Sequence, residues 1–171
     1  MKKKTEIQLK YMIKKDFLPD CDKSYQYFIA ISNQCYNFAR SILKEAKPVI
    51  AALAGRYPLV LVSNFYGNIR EILRDFEVNQ YFNDVIESAV AGVRKPDPAI
   101  FYLGIKALGL SPEEVVVIGD AYSKDIVPAS KTGCQTIWLK GAGWDDTEED
   151  ASSASLVINH FAELKKIFEI S

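Results

Sequence analysis

A single histidine, His160, and three cysteines with no CxxC pair leave this 171-residue chain poor in the side chains that build zinc centres, histidine triads and disulfide frameworks. Cys21, Cys35 and Cys134 are odd in number and widely spaced, a usage that suits a reducing compartment. Charge of one sign is also missing. The 21 Lys and Arg nearly cancel the 22 Asp and Glu, so there is no basic field for nucleic acid and no acidic excess of the disordered kind. No apolar run is long enough to span a bilayer, and Lys2-Lys3-Lys4 leads into the mixed run Thr5-Glu6-Ile7-Gln8-Leu9-Lys10 where a targeting signal would have an apolar core. These absences predict a cytoplasmic protein with no nucleic-acid and no membrane partner. The basic start, joined by Lys10, Lys14 and Lys15, reads as a solvated face.

What is present is apolar material: 49% of the residues are hydrophobic, enough for one substantial core with an appendage. From Ser24 to Ala54 helix formers and aromatics dominate, with Tyr27, Ile31, Cys35 and Phe38 at spacings of three or four before Ile42 and Ala46. Pro48 is expected to open a further helix through Leu53, stopped by Gly55. A strand Leu59 to Ser63 follows, then a helix Asn68 to Phe76 and a short strand Asp84 to Ser88. Asp97-Pro98 places a capping carboxylate ahead of a helix that runs to Gly109, and Ser111 to Glu114 form a turn. Val115-Val116-Val117-Ile118-Gly119-Asp120 is a β-branched run without alternation, which suits a parallel strand covered on both faces. A helix near Lys124 to Lys131, the strand Gln135 to Leu139, a glycine-rich acidic loop Gly141 to Ser155, the strand Leu156 to Ile158 and a helix Phe161 to Phe168 complete the chain. Strands alternating with helices at this period predict an α/β fold: a doubly wound, mainly parallel Rossmann-like sheet with an N-terminal helical region.

In such a sheet the carboxyl ends of the strands share one edge, where ligands gather. Ser63-Asn64, Arg94-Lys95, and Asp120 with Asp125 would converge there. A hydroxyl and backbone amides suit phosphate oxygens, a lysine offsets negative charge, and carboxylates hold Mg²⁺, so the set suits phosphoryl chemistry. Each residue also has a purely structural reading. Ser63 and Asn64 could serve a helix start or a turn, Lys95 a solvated loop, Asp120 a helix cap, and Asp125 a first turn. Trp138 and Trp144 read as packing residues, His160 as lying near a helix start, and Cys134 as a small core residue.

The order of these motifs, Val62-Ser63-Asn64, then Arg94-Lys95-Pro96-Asp97-Pro98-Ala99-Ile100-Phe101, then Val117-Ile118-Gly119-Asp120 with Asp125-Ile126 and Ala129, resembles the second, third and fourth motifs of the haloacid dehalogenase-like (HAD) hydrolases over about Pro48 to Leu139. The resemblance implies that Ser63 binds phosphate, with Asn64 beside it. It implies that Lys95 steadies phosphate and nucleophile, and that Asp120 binds Mg²⁺ with Asp125 supporting it. It makes residues 1–47 a helical cap-like segment and residues 48–171 the core. The substrate it implies is a small phosphorylated metabolite.

The family's first motif, an apolar strand ending Asp-x-Asp, has no counterpart in this sequence. Asp20-Cys21-Asp22 has the acidic spacing, but Pro19 and the polar residues before it do not read as a central strand. Omitting that strand would leave its neighbours roughly 10 Å apart, twice the usual spacing of about 4.8 Å. Three repairs are open: Thr5 to Ile13 inserts as a strand, although Ile7 and Tyr11 at i, i+4 fit a cap helix equally well, the two neighbours pair directly, or another copy of the chain fills the slot as a homo-oligomer. Truncation of a longer gene product is a further explanation. The functional expectation is a HAD-type, Mg²⁺-dependent phosphatase scaffold, catalytically incomplete as this chain, with Mg²⁺ binding weak or absent. A noncatalytic phosphate-binding or interaction protein is the alternative. Dehalogenation is a lesser one, and a phosphoacceptor signalling domain is disfavoured because Lys95 precedes Asp120.

Overall fold

A computed structural model describes residues 2–141 and 151–170. The side chains of Lys2, Lys3, Lys4 and Thr5, and residues 142–150 of the acidic loop with Trp144 among them, lie outside that description. The chain divides into two compact units, Met1–Glu45 and Ala46–Ser171.

Helices α1 (Lys2–Lys14) and α2 (Asp22–Ala54) open the chain. Residues 5–13 are therefore helical, which sets aside their insertion as a strand. Pro48 lies inside α2 and does not begin a new helix, correcting the expected break. A mid-helix proline costs about 3 kcal/mol through its lost N–H and its clash with the preceding turn. Val49 and Leu53 just beyond it are buried among Ile137, Ile158 and Leu164, and each such burial returns about 1.5–3 kcal/mol. Packing outweighs the local penalty. In the first unit Leu9, Ser24 and Ser32 are buried, whereas Tyr27, Ile31, Phe38 and Ile42 of the periodic stripe are exposed.

The second unit alternates strands and helices: β1 (Val60–Ser63), α3 (Ile69–Asp75), β2 (Asp84–Glu87), α4 (Ser88–Ala91), α5 (Ala99–Leu108), β3 (Val116–Gly119), α6 (Val127–Ser130), β4 (Gln135–Leu139), β5 (Leu156–Ile158) and α7 (Leu164–Ile167). Local chemistry sets several of the boundaries. Ala99 N–H donates to Asp97 Oδ1 at 2.9 Å where α5 begins, and Gly109, at φ 69°, ends it in the left-handed conformation glycine tolerates. Between β3 and α6 the chain makes a wide π-type turn, Tyr122–Ile126, so the helix expected from Lys124 starts later.

All strand pairs are parallel, and the fold is α/β, with Rossmann-like connections. The sheet is nonetheless split. β1 pairs only with β2, and β3 pairs with β4, which pairs with β5, so β1 and β3 each end a sheet with one edge open among the described residues. Direct pairing of the two strands does not occur. β4, with neighbours on both sides, buries Thr136, Ile137 and Trp138, whereas every residue of β1 is half-buried and Val116 of β3 is 36% exposed. The β-branched run at 115–118 is thus less covered than its composition predicts, because one flank has no strand against it.

Candidate active site

The loop after β1 is shaped by β2. In register, Ser63 lies beside Glu87. Glu87 is 6% exposed, and its Oε1 accepts the N–H groups of Gly67, Asn68 and Ile69 at 2.5, 3.0 and 3.3 Å, satisfying amides that open α3. Ser88 Oγ reaches Phe65 N at 3.1 Å and Phe65 O at 3.2 Å. These contacts hold the segment that leaves Ser63, whose own hydroxyl takes no partner among the described residues.

Asn64 clamps the next motif. Its Nδ2 donates to Lys95 O at 2.9 Å, and Lys95 N–H donates to Asn64 Oδ1 at 2.8 Å. The amide is thereby engaged on the main chain of Lys95. With its backbone fixed, Lys95 extends Nζ to Asp125 Oδ1 at 2.6 Å, the two side chains being 15% and 7% exposed. The other Asp125 oxygen, Oδ2, accepts Ala121 N–H at 3.1 Å, and Asp125 N–H donates to Ala121 O at 2.6 Å, closing the turn after β3. Gly119 is required there: a Cβ on it would lie 2.9 Å from both Cγ and Oδ2 of Asp125.

Asp120 is exposed, and its carboxylate has no partner among the described residues. Its carbonyl oxygen accepts Trp138 Nε1–H at 3.1 Å, and Trp138, 6% exposed, packs on Tyr122 with ring centroids 4.8 Å apart. Trp138 thus packs as expected and also fixes the Asp120 main chain. Asp20 and Asp22 are exposed at the turn that opens α2, in the first unit.

The structure therefore links the three motif loops through Asn64, Lys95 and Asp125. Among the described residues no side-chain hydrogen bond or ion pair joins Ser63 or Asp120 to that group. The sequence does not single out Glu87, nor the hydrogen bond that Trp138 adds to its packing. For Glu87 a signal existed, since Asp84-Val85-Ile86-Glu87 ends on a carboxylate just as the strand before Asp120 does. The hydrogen-bonding role of Trp138 had none.

Among the described residues no group of three or more His, Cys, Asp or Glu could enclose a metal ion. Both Asp125 oxygens are engaged, leaving the Asp120 carboxylate as the free hard ligand. One free carboxylate fits magnesium in the manner typical of phosphate sites, where one or two protein carboxylates are supplemented by water and phosphate oxygens.

A lysine–aspartate pair and an exposed carboxylate thus sit at the strand ends of an α/β scaffold built of parallel strands. The chain belongs to the haloacid dehalogenase-like hydrolases, a family that matches residues 16–133 and so begins well before the motifs. It is 28% identical over 144 residues to a glyceraldehyde 3-phosphate phosphatase of Pyrococcus furiosus, covering 82% of this chain and 60% of that protein. A phosphoserine phosphatase of Thermus thermophilus is 32% identical over 115 residues, covering 66% of this chain and 44% of its own. A crystal structure of a HAD phosphatase from Thermococcus onnurineus superposes with a TM-score of 0.64 at 30% identity, covering 71% of this chain and 55% of that one. The chain thus spans less than two thirds of the length of these relatives. No described helix is long and apolar enough to cross a membrane.

Proposed function

We propose that this chain is a phosphomonoester-hydrolase scaffold that supplies the phosphate-holding and cation-holding groups but, taken by itself, no attacking carboxylate. The observation that carries the reading is the Lys95–Asp125 pair at 2.6 Å, at strand ends that also bear a Ser63 hydroxyl and an Asp120 carboxylate without partners among the described residues. Ser63 and the amides that follow it would hold phosphate oxygens, and Lys95, oriented by Asn64 and Asp125, would offset phosphate charge. Asp120 and Asp125 together outnumber Lys95 by one charge. A bound phosphate therefore calls for a cation, and Asp120 is the residue that would hold Mg²⁺, which would supply that neutralisation. A carboxylate delivered between β1 and β3 would attack phosphorus and expel the alcohol. Water would then hydrolyse the resulting acyl phosphate.

The substrate class we take is a small phosphorylated metabolite, the kind of compound after which the relatives are named. Three free thiols, Cys21, Cys35 and Cys134, fit a cytoplasmic setting. The test is hydrolysis of p-nitrophenyl phosphate with Mg²⁺, alongside calorimetric titration of inorganic phosphate with and without Mg²⁺. Expected are no turnover above background and phosphate binding that depends on Mg²⁺ and is lost in Ser63→Ala and Asp120→Asn. Turnover abolished by Asp120→Asn would show that the chain is catalytically complete. The unpartnered Ser63 hydroxyl also favours a second reading, a noncatalytic anion binder, and phosphate bound equally well without Mg²⁺ would select it.

A further inference from the structure

We infer that Trp138 is a positioning residue: through the peptide group that joins Asp120 to Ala121, its indole N–H aims the Asp120 carboxylate and couples it to the Lys95–Asp125 pair. The inference rests on the reading of Asp120 as the residue that would hold Mg²⁺. It holds whatever group supplies the attacking carboxylate.

Pairing between β3 and β4 ends where Gly119 lies opposite Trp138, so Asp120 stands one residue beyond the last rung. Its exposed carboxylate has no hydrogen bond or ion pair among the described residues, and the direction in which its side chain leaves the turn is therefore set by the main chain. That main chain is held at both ends of a single peptide group. The Asp120 carbonyl accepts Trp138 Nε1–H at 3.1 Å, and the N–H of the same group, that of Ala121, donates to Asp125 Oδ2 at 3.1 Å. The other oxygen of Asp125 accepts Lys95 Nζ at 2.6 Å. Indole, peptide, carboxylate and ammonium thus form one line of hydrogen bonds, and bonds in such a line polarise one another where water is excluded.

The indole is itself fixed. Trp138 is buried against the ring of Tyr122, whose hydroxyl oxygen accepts Ser153 N–H at 3.1 Å. Ser153 O in turn accepts the hydroxyl of the fully buried Thr136 at 2.7 Å, and Lys140 Nζ lies 5.0 Å over the indole ring. A donor held this firmly restricts the peptide group that carries Asp120, so the carboxylate has less freedom to lose when it takes a cation. Groups behind a metal ligand raise affinity in this way, by orienting the ligand before the metal arrives.

The probe is Mg²⁺ alone, titrated into the full chain and followed through the NMR amide signals of Gly119, Asp120 and Ala121. These should shift saturably in the parent. Trp138→Phe keeps a ring but removes the donor, and it is expected to weaken Mg²⁺ binding about tenfold, as when an outer partner of a metal ligand is lost. Tyr122→Phe is the stability control: it keeps the ring beside the indole and removes the hydroxyl that accepts Ser153 N–H, so it should lower the melting temperature and leave Mg²⁺ affinity unchanged. In the parent the indole N–H signal of Trp138 should shift with the same midpoint as the three amides, a readout that needs no substitution to fold. Mg²⁺ affinity unchanged in Trp138→Phe, an equal loss in Tyr122→Phe, or an indole signal that stays still while the amides move would overturn the positioning role alone. Amides that ignore Mg²⁺ in the parent would overturn the metal reading of Asp120, and this inference with it.

Discussion

The Lys95 ammonium and the Asp125 carboxylate meet at 2.6 Å across the polar end of a gap that no described strand fills, one reaching from the segment after β2 and the other from the turn after β3. Both side chains are largely shielded from water, so the pair adds little net stability, yet neither charge tolerates losing its partner. Asp125→Ala also strips Ala121 N–H of its acceptor. The expected loss is about 3–5 kcal/mol for the single replacement, as for other broken buried pairs. Urea unfolding of Asp125→Ala, Lys95→Met and the double variant measures it, and the double variant should cost clearly less than the sum of the singles. Additive losses would show that the two residues act independently.

Gly119→Ala should disturb the same turn. The new Cβ would lie 2.9 Å from the Asp125 carboxylate, and overpacking of this kind costs about 1–3 kcal/mol. Gly104→Ala is expected to cost less, because Val62 Cγ2, at 3.0 Å, borders the open gap and has room to yield. Chemical denaturation of the two variants gives the ranking directly.

Glu87→Ala leaves three amides at the start of α3 without their acceptor. A loss of about 1–3 kcal/mol follows from desolvated, unpaired donors, and exchange of the Gly67, Asn68 and Ile69 amides should quicken ahead of the rest of the sheet. Unchanged exchange at these three positions would remove Glu87 from the structural role given to it.

Near the chain end, Glu163 Oε1 accepts Asn159 N–H at 2.9 Å and His160 N–H at 2.7 Å, and these bonds hold its carboxyl below the ordinary carboxylate value. A carboxyl whose folded value is depressed contributes stability in full above its unfolded pKa, and that contribution fades as pH falls through the folded one. The parent chain should therefore melt higher than Glu163→Gln at neutral pH, and the gap should close as pH drops below the ordinary carboxylate range. A gap that persists to the acid limit would contradict this linkage.

Thiol labelling separates the three cysteines. Cys21 and Cys35 are exposed, while Cys134 is buried with its thiol pushed up by burial, although Thr132 Oγ1 donates to its sulfur at 3.2 Å. At mildly alkaline pH two thiols should react promptly and the third only as the chain unfolds.

The position of much of the candidate site was legible because its residues sit where local rules put them. Ser63, Lys95, Asp120 and Asp125 follow strands or open turns, and the segments around them carry the period and the punctuation that mark strand ends. Asn64 was legible only as a member of its motif. Its hydrogen bonds to the Lys95 main chain join residues 31 apart, a distance over which spacing carries no signal. Glu87 likewise serves amides 18 to 20 residues earlier.

By itself the sequence determined the identity of the elements: β-branched runs for the strands, Asp97 and Gly109 for the limits of α5, and the motif order that carries the family likeness. Tertiary structure decided the rest. It let α2 continue through Pro48 because Val49 and Leu53 gain more from burial than the proline costs. It chose the helical reading of 5–13 over the strand, and among the described residues it left β1 and β3 with open edges on either side of a covered gap. The reason is that conformational preference is a property of neighbouring residues, whereas burial and the partner of a strand edge depend on which distant segments arrive beside it.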